Sequence, residues 1–278
     1  MKAKAITLTC ILGGLALFSS CGEHHSGSIP DEAVLQAFEN KYPGINKVEW
    51  ETKYDYKVAE FKNGSNETEA WFDTNGNWVM TETDIPYNQL PQAVQTSFKS
   101  SEYADWKVED VDKLERTEIE TLYIIEVEKG EAEADLHYTE EGLLVKTVID
   151  QDDDNNGYQP ATLPEAAQAF LTQKYPGYVL LDFERESMGL EVDIKEDGIH
   201  KEVLFNTSSE WLSTEWDIHQ NQLPEVIANA LKSPEYAQYK IDDIDVMEKP
   251  AGLFYVIELE QGNKEITITF DAAGMIVK

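Results

Sequence analysis

Four tyrosines, Tyr42, Tyr103, Tyr175 and Tyr236, each close a short helical pattern that opens on a proline, at Pro30, Pro91, Pro164 and Pro224. The first and second halves of the chain superpose with a constant shift. Tyr42-Pro43-Gly44 falls on Tyr175-Pro176-Gly177, and Asn88-Gln89-Leu90-Pro91 falls on Asn221-Gln222-Leu223-Pro224. A regular internal period fixes architecture before any single residue does. Here it predicts two similar domains of two units each, and it carries no catalytic signature.

Within the first unit, Val34, Phe38 and Tyr42 recur at four-residue spacing, the mark of one apolar helix stripe. Pro30 is suited to start that helix and Pro43-Gly44 to stop it. Strand-like runs follow at residues 47–53, 56–61, 67–72 and 77–83, with alternation clearest at Val48, Trp50 and Thr52 against Glu49, Glu51 and Lys53. A last hairpin recurs in all four units, beginning at Phe72, Tyr138, Phe205 and Phe270; Ser209 stands where the other three turns have glycine. The expected fold class is therefore α+β, built from tandem helix-plus-antiparallel-sheet modules. Each helix should bury its stripe on one sheet face and leave the opposite face open to a partner.

The boundaries follow from the same pattern. Residues 1–20 read as a signal peptide, with Lys2 and Lys4 before the apolar run Ile6–Phe18, which is too short for an ordinary membrane span. Phe18-Ser19-Ser20-Cys21-Gly22 resembles a lipobox, so Cys21 is the expected lipidation site; an ordinary secretory peptide is the competing reading. Residues 21–29 form a tether. The first domain spans 30–149, in modules 30–90 and 91–149. An acidic linker covers 150–162, and the second domain spans 163–278, in modules 163–222 and 223–278. With Cys10 lost in the signal, Cys21 would be the one remaining cysteine, so the fold must be held without disulfides.

A formal net charge of −32 argues against nucleic acid and against lying flat on an anionic membrane. It leaves room for a basic protein partner, and a solvated acidic surface is the plainer reading. Asp152-x-Asp154-x-Asn156-Gly157 matches the first half of an EF-hand loop, but position twelve is Leu163 instead of a bidentate glutamate. Asp152, Asp154 and Asn156 are thus a weak calcium candidate within a solvated linker, and no other cofactor is expected. His137, His200 and His219 lie far apart without metal-ligand spacing, and no nucleophile motif or phosphate loop is present. Of the six tryptophans, Trp78 and Trp211 occupy equivalent core positions, while Trp71 has the opposite strand parity. Trp71, Trp50 and Trp216 are the candidate partner contacts, since aromatics on an exposed face anchor protein interfaces.

The helices ending in Lys41-Tyr42-Pro43-Gly44 and Lys174-Tyr175-Pro176-Gly177, the Trp50-bearing strands and the Phe-Asp-x-x-Gly hairpin resemble the PepSY-like, beta-lactamase-inhibitor-like family of bacterial envelope proteins. The second and fourth units, with Glu102-Tyr103-Ala104 and Glu235-Tyr236-Ala237, look like diverged copies. The resemblance implies a non-enzymatic binding or inhibitory module and transfers no functional residue. The expectation is a lipoprotein anchored by its lipid to the membrane, in the outer membrane facing the periplasm, with surface display less favoured. It would bind a protein or peptide of the cell envelope on its open sheet faces. A small-ligand or calcium-binding periplasmic protein is the alternative, and a hydrolase built from dispersed acids a more distant one.

Overall fold

The computed structural model describes residues 29–149, 158, 160–186 and 189–277. Helix α1 (Glu32–Lys41) precedes strands β1 (Val48–Lys53), β2 (Tyr56–Asn63), β3 (Asn66–Phe72) and β4 (Trp78–Asp84). Helix α2 (Gln92–Ser100) precedes β5 (Lys107–Arg116), β6 (Ile119–Lys129), β7 (Ala132–Thr139) and β8 (Leu144–Ile149). These eight strands form one antiparallel sheet in sequence order. The second half repeats the order with α3 (Glu165–Lys174), β9 (Val179–Glu186), β10 (Gly189–Glu196), β11 (Ile199–Asn206) and β12 (Trp211–Asp217). It closes with α4 (Glu225–Ala230), β13 (Lys240–Lys249), β14 (Gly252–Gln261) and β15 (Lys264–Asp271), giving a seven-stranded sheet. The fold is α+β as expected, but the sheets dominate it and the helices are short. Pro91, Pro164 and Pro224 sit at the N-cap, one step before the first helical turn, and Asp31 takes that place in α1. Among the described residues no helix is long and apolar enough to cross a membrane.

Every helix seals one side of a sheet. Val34 and Phe38 of α1 pack on Ala59, Phe61, Ala70 and Phe72. Val94 and Phe98 of α2 meet Val111, Ile125, Leu136 and Tyr138, while Ala167 and Leu171 of α3 meet Val192, Val203 and Phe205. Ile227 of α4 does the same against Ile257 and Phe270. Burying each of the valine, leucine, isoleucine and phenylalanine side chains contributes about 1.5–3 kcal/mol, which has to offset the entropy of ordering it.

The recurrent hairpins share one register: Phe72 pairs with Trp78, Tyr138 with Leu144, Phe205 with Trp211, and Phe270 with Ile276. Their turns lie against the start of a helix. A Cβ on Gly76 would fall 2.8 Å from the Ala33 carbonyl, and one on Gly142 2.7 Å from that of Ala93. Ser209 adopts the same left-handed conformation at φ 60, with Asn206 Oδ1 accepting the N–H groups of Ser208 and Glu210.

A polar knot ties helix end to sheet in both halves. Thr81 Oγ1 accepts the Trp78 indole N–H at 2.8 Å and lies 2.5 Å from the Tyr42 hydroxyl. Thr214 Oγ1 accepts from Trp211 at 3.0 Å and lies 2.6 Å from the Tyr175 hydroxyl. The tyrosine of the Tyr-Pro-Gly motif therefore has a bonded as well as an apolar role.

The two sheets meet where β9 lies against β6. Leu122, Val145 and Leu181 form a buried apolar contact there. Arg116 Nη1 lies 2.5 Å from Asp182, and its Nη2 donates to the Leu181 carbonyl at 3.0 Å. Lys195 reaches Glu120 at 3.1 Å and Glu141 at 3.2 Å, and Lys146 pairs with Glu184.

Replacing Thr214 by valine keeps the shape but strands the Trp211 indole N–H and the Tyr175 hydroxyl. Urea denaturation should show a loss of about 1–3 kcal/mol, the cost of unsatisfied buried polar groups. Unchanged stability would mean that the knot is not maintained.

Candidate binding faces

On the side without helices, cross-strand pairing places carboxylate beside carboxylate. In the first sheet Glu60 opposes Glu69, Glu69 opposes Glu82, Asp84 opposes Asp112, and Asp110 opposes Glu126. In the second sheet Asp193 opposes Glu202, Glu202 opposes Glu215, Asp217 opposes Asp245, and Asp243 opposes Glu258. These two sets occupy equivalent places in the two halves, so each sheet carries the same acidic track. Like charges directly across strands are destabilising.

The cost appears in the ionisation of the carboxyls. Burial first, then hydrogen bonding and repulsion from Glu51, pushes Glu60 up to about 7. Glu82 rises to about 7 by burial and the charges of Glu69 and Asp84, and Asp112 to about 8 by burial and the charges of Glu82 and Asp110. Asp245 rises to about 7 through burial and its contact with Asp217. One cation relieves the first track: Lys53 Nζ lies 2.7 Å from Glu51, 3.0 Å from Glu69 and 3.8 Å from Glu60. At the far end of the second track His200 bonds Asp193 at 2.7 Å. Glu51, Glu60 and Glu69 gather carboxylate oxygens within 4.8 Å of one another, as do Asp217, Asp243 and Asp245. The first trio already encloses an ammonium group.

The tryptophan candidates separate. Trp71 lies on the helix-free side, as its parity requires, but it is not an exposed anchor. It is 3 % exposed, packed among Val58, Met80, Leu114 and Ile124, with Tyr158 against that cluster. The first helix-free face is thus covered at its centre, which corrects the expectation of an open face there. Tyr158 also meets His137 edge-on at 5.9 Å, and burial holds that imidazole down at about 4. Trp50 turns to the helix side, edge-on to Phe38 at 5.4 Å. Trp216 also leans on a helix-side core, with Lys201 over its ring at 4.9 Å. Cys21, Asp152, Asp154 and Asn156 lie outside the described residues.

On the second sheet, Leu204, Met247, Phe254 and Val256 stand half-buried on the helix-free side, cross-strand from or beside the acids. Carboxylates interleaved with apolar side chains suit cationic groups carried on an apolar stem. Sequence reading missed these tracks, although acid-x-acid pairs at Glu67/Glu69, Glu82/Asp84, Asp110/Asp112, Glu215/Asp217 and Asp243/Asp245 were a visible signal.

A carboxyl whose folded pKa is raised stays protonated in the folded protein at a pH where the unfolded chain has ionised. Stability therefore falls as pH climbs from the ordinary carboxylate range through about 7–8. His137 acts oppositely, because its lowered value costs stability as pH drops below about 6.5. The Tm should accordingly rise between pH 8 and pH 6.5, where the raised carboxyls and His200, raised against burial by its bond to Asp193, act in the same direction, and Asp112→Asn should reduce that rise. Differential scanning calorimetry checks it, and a Tm falling over that interval would contradict the assignment.

Comparison with known proteins places this geometry in context. Residues 54–146 and 196–278 match the profile of a family described as beta-lactamase-inhibitor-like, PepSY-like. No curated protein matches the chain. A solved BLIP-like protein from Bacteroides fragilis is 36% identical, covering 49% of this chain and 98% of its own, with a TM-score of 0.46. A DUF2874 family protein from Bacteroides ovatus is 31% identical over 46% of this chain and 94% of its own, at a TM-score of 0.44. Another from Bacteroides uniformis is 26% identical over 44% and 90%, at 0.42. Since the two matched segments take in more than half of its residues, the chain belongs to the PepSY-like, beta-lactamase-inhibitor-like family.

Proposed function

We propose that this protein is a non-enzymatic binding module that holds a basic protein or peptide of the cell envelope against the helix-free side of its second sheet. The observation that carries this reading is the acidic track itself. Both halves keep carboxylates opposed across strands at equivalent registers, against the electrostatic cost. Departures of this kind from local stability are expected where a surface serves recognition. Family membership supports an inhibitor-like or binding role in general. The second sheet is favoured over the first because Tyr158 and Trp71 fill the centre of the first face.

In the finer form of this reading, four helix-plus-sheet units make two domains, 30–149 and 163–278, tethered through lipidated Cys21 on the periplasmic side of the outer membrane. The partner would present lysines or arginines on an extended or convex surface, and inhibition would follow if those residues belong to an enzyme's active site.

The test is affinity capture from envelope extract on the immobilised chain, washed at low and then high salt. A defined basic protein retained at physiological salt supports the reading. Its affinity should fall at least ten-fold, about 1.4 kcal/mol, for the combined Glu202→Gln, Glu215→Gln and Asp217→Asn variant. Binding indifferent to that variant would remove the acidic track from the interface.

A further inference from the structure

The second and fourth units align residue for residue around their helices, with Pro91 and Tyr103 falling on Pro224 and Tyr236. In the second unit the corner between α2 and the start of β5 is filled. Tyr87 meets Phe98 edge-on at 6.0 Å, and Tyr103 meets Trp106 at 5.1 Å. Gln95 folds back to donate to the Leu90 carbonyl at 2.9 Å, and Phe98 and Tyr103 are buried. The fourth unit carries a smaller side chain at each of four equivalent positions. Tyr87 becomes Gln220, Gln95 becomes Ala228, Phe98 becomes Leu231 and Trp106 becomes Tyr239. Leu231 and Tyr236 are only half-buried, and α4 stops at Ala230, whereas α2 runs on to Ser100.

What the smaller residues leave is a cavity of about 640 Å³ beside α4. Its apolar walls are Leu223, Ala228, Leu231, Tyr236, Ile241 and Leu259, drawn from α4, the turns on either side of it, β13 and β14. Mostly apolar walls with a few polar groups are what small-molecule sites share, at volumes of about 300–1,000 Å³. Lys232 and Lys240 also line the cavity, and both are exposed. Their counterparts in the second unit are firmly engaged. Lys99 lies 5.9 Å from the centre of the Tyr87 ring, and Lys107 pairs with Glu109 and, at 2.8 Å, with Glu128. In the fourth unit that ring is replaced by Gln220, and Lys232 donates to Asn229 Oδ1 at 2.9 Å, while Lys240 stands 3.9 Å from Glu260. The replacements that leave the cavity thus also leave its two ammonium groups loosely held.

We propose that the cavity beside α4 is a binding site for a small amphipathic anion, a single alkyl chain that carries a free carboxylate. The chain would lie against Leu223, Leu231, Ile241 and Leu259, where burial of apolar surface supplies the affinity. The carboxylate would accept from the ammonium groups at the mouth, which fixes the end of the ligand that stays near water. Glu260 competes for Lys240, so Lys232 is the nearer match for the head group. The net charge of −32 opposes an anion at long range. Screening confines that opposition, because charges farther apart than about 8 Å are largely hidden from one another at physiological salt. The walls belong to the helix-side core of the second sheet, so this ligand and a basic partner on the acidic track do not compete for the same residues.

The probe is sodium decanoate, titrated calorimetrically into the full-length protein near neutral pH and below its micellar range, with decanol as an uncharged probe of equal chain length. Decanoate is expected to saturate a single site, and decanol to bind about ten-fold or more weakly for want of the charge-assisted contact. Restoring the second unit's residues together, by Gln220→Tyr, Ala228→Gln, Leu231→Phe and Tyr239→Trp, should refill the cavity and abolish binding of both probes. Combining Lys232→Gln with Lys240→Gln should bring decanoate down to the level of decanol and leave decanol unchanged. Far-UV circular dichroism verifies the fold of each variant, and the lysine pair, being exposed, reads the site even where the refilled chain does not fold. Three results would overturn the proposal: no saturable binding of decanoate, decanol bound as tightly as decanoate, or a folded variant of either kind that binds decanoate as the wild type does.

Discussion

Strand alternation is the constraint on which everything else in this molecule rests. Each residue of the two sheets belongs to a helix-covered side or to a bare side, and a slip of one position would exchange the two sets. On the covered side the register is held by Phe72, Tyr138, Phe205 and Phe270, all almost wholly buried and each paired with the residue that opens the returning segment. The same register delivers the carboxylates to the other side, opposite one another. The acidic tracks are therefore not independent of the core. Apolar packing under the helices is what compels Glu69 to face Glu82 and Glu202 to face Glu215. Repulsion on one side is offset by burial on the other, and that balance explains why the carboxyls shift upward in pKa instead of the strands shifting in register.

Much of this architecture was legible in the sequence because its signals are local. The helix stripe Val34–Phe38–Tyr42, the prolines before each helix and the hairpin glycines act within a few residues of themselves. The strand parity of Trp71 was equally readable. Its burial was not, because what covers it comes from elsewhere in the chain. Tyr158 reaches back onto the first sheet, and Leu181, Asp182 and Arg116 fix the second half against it. No periodicity announces such a contact. The acidic tracks lie between these cases. Each acid-x-acid pair is visible locally, but Glu69 meets Glu82 and Asp110 meets Glu126 only once the register is known.

Trp50 and Trp216 show a second limit of reading a strand by itself. Alternation separates two sides but does not say which side the helix will take. Trp50 lies with Phe38 and Phe72, and Trp216 with the core under α4, so their aromatic area serves packing before it can serve a partner. An aromatic ring is a good interface anchor for the same reason that it is a good core residue. Only the position of the helix decides between the two roles.

The two halves bear the same acidic track and yet do not present it alike. On the first, Lys53 sits among a trio of glutamates and Tyr158 covers the middle of the face. On the second, Asp217 and Asp243 stand exposed, Asp245 is held near 7 by burial and Asp217, and Leu204, Phe254 and Val256 offer apolar area between them. A duplicated sheet thereby acquires two different duties. The first copy spends its bare side on contact with the rest of the chain, where Arg116, Lys146 and Lys195 bring the positive charge that its acids and those of the second half require. The second copy is supported at its β9 end by that contact. Among the described residues no lysine or arginine is paired with its Glu202, Glu215, Asp217, Asp243 or Asp245, and His200 meets Asp193 at the end of the track. Unmatched charge on a supported face is the condition under which a partner's lysine or arginine gains more from docking than it loses in hydration, because the acidic groups are already arranged and need no ordering.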